Sequence, residues 1–429
     1  MKPRRLVTGF ILMEVLAIDG FAAPIRNIIL CIGDGMGPEQ VKAARYYAST
    51  NLFFETFPYQ STMITDSADN PVTDSAASAT AMASGQKVNN GVISLSLPGD
   101  GSELRTLLEY FTTKDKAAGL VTTTYVTHAT PAAFGAHTIS RNNLSEIAAD
   151  YLTQTRPQVL FGGGANGMSP SAAVNAGYTV VTTRDDLFSL NTTDASLVSG
   201  QFGTDHLPYE FDGLGDLPRL PEMAVVALDI LEEDPDGFFL MVEGGRIDHA
   251  GHSNDLSRNI GETLAFSETV ELIRNWAGSR SDTLIIVTAD HETGGLDVLA
   301  DNGPGVNPTV TWSTTGHTAT PVPVYAWGLN ADLATTVADN TEIHQVAIST
   351  ALVPEQAVDI GQAETGDMQI IWTAAAGDAY RAEYTPTLKP LDWTPLMTVT
   401  STSSRLVIAD TNAVPLRFYR LIPLGAESP

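Results

Sequence analysis

Cysteine is nearly missing from this chain: its 429 residues contain one, Cys31. A single thiol excludes any intramolecular disulfide, so packing, with or without bound metal ions, must stabilise the fold. Cys31 sits in the apolar run 27–32 and reads as a buried strand residue, not a nucleophile. Basic residues are scarce too, with 23 Lys and Arg against 50 Asp and Glu and a formal net charge of −27. That field repels polyanions, which argues against nucleic acid or an anionic membrane surface as partner. It also repels a small anionic substrate, so a phosphate site here would need strong local positive charge. Beyond the N-terminal stretch no apolar run is long enough to span a bilayer, and no membrane span is expected.

The N-terminal stretch has the make-up of an export signal. Lys2, Arg4 and Arg5 precede a mostly apolar segment at 6–18, and Gly20 and Ala22 suit the −3 and −1 positions of a cleavage site. Glu14 and Asp19 are departures from that pattern. Residues 1–22 are therefore expected to be a signal peptide, and the mature protein periplasmic or extracellular.

From residue 23 onward the chain has the rhythm of an α/β protein. Apolar runs at 27–32, 117–126, 158–161, 237–242, 283–288 and 322–327 read as strands, the buried ones without alternation. Between them lie helical stretches: one opening at Pro38, one at 221–233, and one at 254–276 with Leu256, Ile260, Leu264 and Val270 on one face. Pro323 marks the last run as an edge strand or a strand start. Residues 182–216 resist assignment, and 300–313 read as a loop-rich insertion. The expected fold over 23–352 is α/β, a central, mostly parallel sheet flanked by helices. A polar, acidic stretch at 353–367 reads as a linker. Short strands with turn signals at 368–429 read as a small all-β module whose aromatics fill its core or edges.

Polar residues recur just past the strand runs, where open α/β sheets build their sites. Asp34 lies just past the first run within Gly33-Asp34-Gly35-Met36-Gly37; an acid there would repel a pyrophosphate unless a metal lay between. Glu243, Asp248 and His252 come after the run at 237–242, Asp290 and His291 after 283–288, and His317 precedes the last run. Asp248 and His252 are four apart, so a helical turn would set them on one side. With the Ser75 and Thr130 hydroxyls these are too many ligands for one metal. They suit two zinc ions, which take imidazole and carboxylate, and a harder ion that takes oxygen. The stretch 72–85 reads as an extended entry into an alanine-rich helix, with Asp74 or Ser75 as cap and Gly85 closing the far end. Ser75 thus stands at a helix N-terminus that favours an anion. Arg141 could grip two phosphate oxygens with its planar fork. Metals and one arginine would make a positive pocket inside an acidic shell.

Taken together, Gly-Asp34-Gly-Met-Gly, the run Thr73-Asp74-Ser75-Ala76-Ala77-Ser78, Thr130-Pro131-Ala132-Ala133 with Arg141, Glu243-Gly244-Gly245-Arg246-Ile247-Asp248-His249 with His252, Asp290-His291 and Gly316-His317-Thr318 resemble the alkaline phosphatases from Asn27 to about Ala351. The resemblance implies a phosphomonoesterase acting on small phosphate monoesters through a phosphoserine on Ser75, with two Zn²⁺ and one Mg²⁺ per subunit. It implies that Asp34, Asp290 and His291 bind one zinc beside Ser75, and that Asp248, His252 and His317 bind the other. Asp34, Thr130 and Glu243 would bind magnesium, Arg141 would hold the phosphate, and Asp74 would position that arginine. His128 and His249 stand at two substrate-side positions that vary in the family, where the enteric bacterial enzymes have an acid and a lysine; this chain resembles the histidine-containing animal and marine-bacterial type. The family also carries the expectation of a homodimer. The alternatives are another member of the superfamily, such as a phosphodiesterase, and a binding or adhesion protein that uses the β module.

Overall fold

The computed structural model describes residues 25–351 and six later strands at 357–362, 368–373, 379–385, 394–400, 405–410 and 418–424. The expected signal peptide, 1–22, lies outside the described residues. Among the described residues no helix is long and apolar enough to cross a membrane.

Thirteen strands precede the C-terminal module: β1 (Asn27–Gly33), β2 (Tyr59–Met63), β3 (Ala117–Tyr125), β4 (Val159–Gly163), β5 (Thr179–Val181), β6 (Val198–Gln201), β7 (Phe238–Gly244), β8 (Thr283–Thr288), β9 (Glu292–Thr293), β10 (Leu296–Ala300), β11 (Thr309–Trp312), β12 (His317–Thr318) and β13 (Val322–Gly328). Nine of them form one sheet in the order β2-β13-β8-β1-β7-β3-β4-β6-β5. The seven from β8 to β5 run parallel. Helices flank the sheet, the longest being Leu256–Ala277. Every residue of β1, β7 and β8 is buried, which is why these strands appear in the sequence as unbroken apolar runs. Cys31 is among them, its thiol pushed up by burial away from the reactive thiolate.

Of the two readings of Pro323 the strand start holds and the edge does not. β13 lies between β2 and β8, antiparallel to both, and Pro323 is its second residue, opposite Thr62. The edge is β2, whose half-exposed YQSTM shows no apolar run to find. The stretch read as an insertion holds a hairpin, β10 against β11. The linker reading is also corrected: Ala357–Gln362 (β14), inside 353–367, is a strand paired with Met368–Thr373 (β15). The β structure therefore starts before residue 368. It continues as Ala379–Thr385 (β16), Thr394–Thr400 (β17), Arg405–Asp410 (β18) and Phe418–Leu424 (β19), in two antiparallel sheets ordered β14-β15-β18 and β17-β16-β19.

The register of the central strands sets the site. Ile32 of β1 lies opposite Glu243 of β7 and Thr288 of β8, and Glu243 lies opposite Thr122 of β3. Asp34 and Asp290 each come two residues beyond that level, just past the ends of adjacent strands roughly 4.8 Å apart. Four neighbouring strands, β8, β1, β7 and β3, thus deliver their polar residues to one end of the sheet.

Candidate active site

The helix Ser75–Ser84 is made of alanine, serine, threonine and one methionine, and all ten residues are buried. Small side chains let it pack closely against its neighbours on every side. Asp74 is its cap: the carboxylate accepts from the Ala77 N–H at 3.0 Å, leaving Ser75 as the first helical residue with its hydroxyl uncommitted to capping. Ser75 Oγ lies 3.3 Å from His291 Nε2. Ser78, one turn on, donates its hydroxyl to the Asp290 carbonyl at 2.7 Å and accepts from the Asn340 amide at 2.9 Å.

The acids and histidines gather into three groups, each with its ligand atoms within 4.8 Å of one another: Asp34, Asp290 and His291; Asp248, His252 and His317; and Asp34, His128 and Glu243. Asp34 belongs to two of them. The short helix Arg246–His252 brings His252 Nε2 to 3.3 Å from the Asp248 carboxylate. Pairing of β9 with β12 brings His317 alongside the loop that carries His291, and the two imidazoles stack at 3.6 Å. Thr130, in the helix Ala129–Gly135, is fully buried.

Hydrogen bonds set the histidine tautomers. His252 Nδ1 donates to the Thr315 carbonyl at 2.6 Å and His317 Nδ1 to the Thr73 carbonyl at 2.8 Å, since a carbonyl can only accept. Thr293 gives its hydroxyl proton to Asp248 and so accepts from His291 Nδ1 at 3.2 Å. All three rings therefore spend Nδ1 on an acceptor and turn Nε2 toward the hollow, the atom a metal would take in exchange for any proton there. His317 and His252 meet Nε2 to Nε2 at 3.1 Å, a contact suited to a shared cation.

The carboxylates point the same way. Both oxygens of Asp34, Oε1 of Glu243, Oδ2 of Asp290 and the Thr130 hydroxyl are buried without a hydrogen-bond partner among the described residues. Unpaired buried charge is costly enough that a group gives up its ionisation instead. Burial, and then the neighbouring carboxylates of Asp290, Asp248 and Glu243, hold Asp34 well above the usual range. Burial first and carboxylate neighbours second lift Asp290 to about 8, and burial lifts Glu243 to about 7. Bound cations would supply the missing partners, so this donor set fits metal. Imidazole with carboxylate suits zinc in the first two groups. Glu243, Asp34 and the Thr130 hydroxyl offer oxygen to a harder ion, although His128 adds a nitrogen to that third group.

Arg141 lines the same hollow. Its Nη1 pairs with Asp74 Oδ2 at 2.9 Å and its Nη2 donates to His128 Nε2 at 3.2 Å. Asp74 also accepts from the Gly91 N–H at 3.0 Å, so one carboxylate serves cap, loop and arginine. His249 packs at 5.7 Å from the His128 ring. Burial pushes both of these imidazoles down, His249 to about 3. Two further residues belong here that sequence reasoning did not single out. Arg246 Nη1 donates to His249 Nδ1 at 2.7 Å, and His206 packs at 4.4 Å from His249. Arg246 stands inside the quoted Glu243–His249 run and could have been questioned. His206 comes from the stretch that resisted assignment and had no signal.

Comparison with known proteins meets this geometry on the same residues. The family model for alkaline phosphatase matches residues 25–309. Alkaline phosphatase 3 of Bacillus subtilis is 40% identical over 296 residues, 65% of this chain and 63% of that protein. Streptomycin-6-phosphate phosphatase of Streptomyces griseus is 33% identical over 403 residues, 75% of this chain and 89% of that protein. The chain spans 63% and 64% of the length of the two Bacillus subtilis relatives. Among solved structures, the cold-active enzyme from a psychrophilic Shewanella superposes with a TM-score of 0.70 at 30% identity, covering 76% of this chain and 99% of that one. The alkaline phosphatase of the Antarctic bacterium TAB5 superposes at 0.68 and 28% identity, over 76% of this chain and 98% of that one; a His-to-Asp variant of it has Mg bound in the M3 site. The matched segment holds every residue placed in the hollow except His317, and by that match the chain belongs to the alkaline phosphatase family.

Proposed function

We propose that this chain is an exported, metal-dependent phosphomonoesterase that cleaves small phosphate monoesters through a phosphoserine on Ser75. The observation that carries the reading is the position of the Ser75 hydroxyl: at a helix N-terminus, 3.3 Å from His291 Nε2, beside the buried carboxylates of Asp34, with neither oxygen hydrogen-bonded, and Asp290, with Oδ2 left free. Asp34, Asp290 and His291 would hold one zinc, and Asp248, His252 and His317 the other. Asp34, Glu243 and Thr130 would hold magnesium. Bound there, the metals supply positive charge that acidifies the serine hydroxyl and water and neutralises charge on the phosphoryl oxygens.

The protein's own groups do the positioning. The Ser75 oxygen attacks phosphorus, the bond to the ester oxygen breaks, and the alcohol leaves with a proton. Water then cleaves the Ser75–phosphorus bond, restoring the hydroxyl and releasing phosphate. The Arg141 fork holds two non-bridging oxygens, with Asp74 keeping its plane in place. His249 faces the phosphate through water. In a chain of net charge −27, this enclosed cationic cluster lets an anionic substrate bind.

Export would use residues 1–22, and the homodimer remains the expected assembly. The test is turnover of nitrophenyl phosphate by zinc- and magnesium-loaded protein, compared with the bis ester and with Ser75→Ala. We expect monoester turnover, lost by several orders of magnitude in Ser75→Ala with metal content retained. Faster turnover of the diester would overturn the monoesterase reading. Full metal loading without turnover of either ester would turn attention to binding through the β module.

A further inference from the structure

Hydrogen bonds at Nδ1 set His249 apart from His252, His291 and His317. His252, His291 and His317 each spend the Nδ1 proton on a neighbouring acceptor and turn Nε2 toward the hollow. His249 is built the other way round. Its Nδ1 lies 2.7 Å from Arg246 Nη1, and a guanidinium nitrogen can only donate. His249 Nδ1 must therefore accept, and the ring proton sits on Nε2, which has no partner among the described residues. Arg246 is well held for this. Its guanidinium lies 3.9 Å from the centre of the Tyr209 ring, and its Nε is buried without a hydrogen-bond partner. Tyr209 is backed at 5.0 Å by Arg258, itself bonded to Asp212 and Asp255. His206, against the other side of His249 at 4.4 Å, limits rotation of the ring.

We propose that Arg246 is a positioning residue that holds His249 as the Nε2–H tautomer, so that His249 donates a hydrogen bond toward the phosphate. With Nδ1 blocked by the guanidinium and Nε2 protonated, His249 offers no lone pair and can only donate. The direction toward phosphate rests on the proposed function; the tautomer does not.

The experiment uses ¹⁵N-histidine-labelled protein loaded with zinc and magnesium, with His249 assigned by its loss in His249→Asn. Wild-type His249 is expected to show a protonated Nε2 and a bare Nδ1. Arg246→Met removes the donor at similar length and should give a tautomer mixture. It should also weaken inhibition by inorganic phosphate about five- to tenfold, the worth of one hydrogen bond, raising KM more than it lowers kcat. Arg246→Lys keeps a donor and should restore the Nε2–H form and part of the phosphate affinity. A wild-type spectrum with the proton on Nδ1, or an unchanged spectrum in Arg246→Met, overturns the tautomer assignment. A changed tautomer with unchanged phosphate inhibition overturns the donor role. Should Arg246→Met not fold, the wild-type and Arg246→Lys spectra still decide. Failure of the wild type to bind phosphate or cleave monoesters would sink the proposed function instead, and leaves the spectra standing.

Discussion

The Ser78 hydroxyl donates to the backbone carbonyl of Asp290 across 2.7 Å, joining the helix that begins with Ser75 to the loop that carries His291. Asn340 completes the joint by donating to the same Ser78 oxygen. Ser78→Ala removes the donor and leaves two buried polar groups unmatched, which costs about 1–3 kcal/mol of stability. It also frees the serine helix to shift against the ligand loop, and small misplacements of reacting groups are expensive. We expect the melting temperature to fall and kcat to drop about tenfold, with KM changed little. Full kcat in a destabilised variant would show that the joint serves the fold alone.

Strands both buried and apolar are plain in the sequence. β1, β7 and β8 stand out as apolar runs, and Asp34, Glu243 and Asp290 stand out because they come where those runs stop. β2 was hidden because a half-exposed edge strand has no run to find, and β6, with Ser199, Gly200 and Gln201, is buried yet not apolar. Pro323 misled in one respect, since a proline at the second position of a strand is tolerated away from the edge. In the site, residue types at strand ends were legible, but contacts between distant segments were not. The pairing of Arg246 with His249 needs a helical turn, and the pairing of His206 with His249 joins segments more than forty positions apart in the chain.

Stripped of metal, the protein should lose stability as pH rises from about 6.5 to 8. Burial holds Glu243 up to about 7 and Asp290 to about 8, so the folded chain keeps protons that the unfolded chain, with ordinary values of 4.5 and 3.8, has already released. Such groups contribute stability at low pH that is lost as pH climbs through their folded values. His252, raised to about 9 by its bond to Asp248, acts in the same direction above its ordinary 6.5. His249 and His206, pushed to about 3 and about 4, act in the opposite direction but only below 6.5. Thermal melts of chelated protein across this window should therefore slope downward. Added zinc and magnesium should flatten the slope by neutralising the carboxylates. A flat profile without metal would mean that the acids are paired in some other way.

Arg141→Ala should weaken substrate and phosphate binding together. A planar fork to an anion is worth about 1.5–3 kcal/mol, which is roughly ten- to a hundredfold in KM and in the phosphate inhibition constant. Arg141→Lys should recover only part of this, because an ammonium cannot match two oxygens at once. Asp74 loses its partner in the alanine variant but keeps its bonds to the Ala77 and Gly91 N–H groups, so the fold should hold. Steady-state kinetics with phosphate as inhibitor checks each step, and an unchanged inhibition constant would remove Arg141 from the phosphate site.

His128→Asp should change which ion the third group prefers. His128 shares that group with Asp34 and Glu243, and its Nδ1 is buried without a hydrogen-bond partner. An imidazole there favours a nitrogen-tolerant ion such as zinc; a carboxylate offers oxygen, which magnesium requires in near-octahedral geometry. The substitution also adds a negative charge to a hollow whose acids are already held protonated by burial and mutual repulsion, and only a bound cation relieves that. Magnesium should therefore bind more tightly, and activity after chelation should depend more steeply on added magnesium. Arg141 adds a second effect, because its Nη2 donates to His128 Nε2 at 3.2 Å. An aspartate in that place competes with the substrate for the guanidinium, so KM should rise about tenfold while kcat at saturating magnesium holds or increases. Magnesium titration of metal-stripped wild type and variant, read by calorimetry and by activity, checks both effects. The same midpoint in both proteins would place the ion out of reach of residue 128.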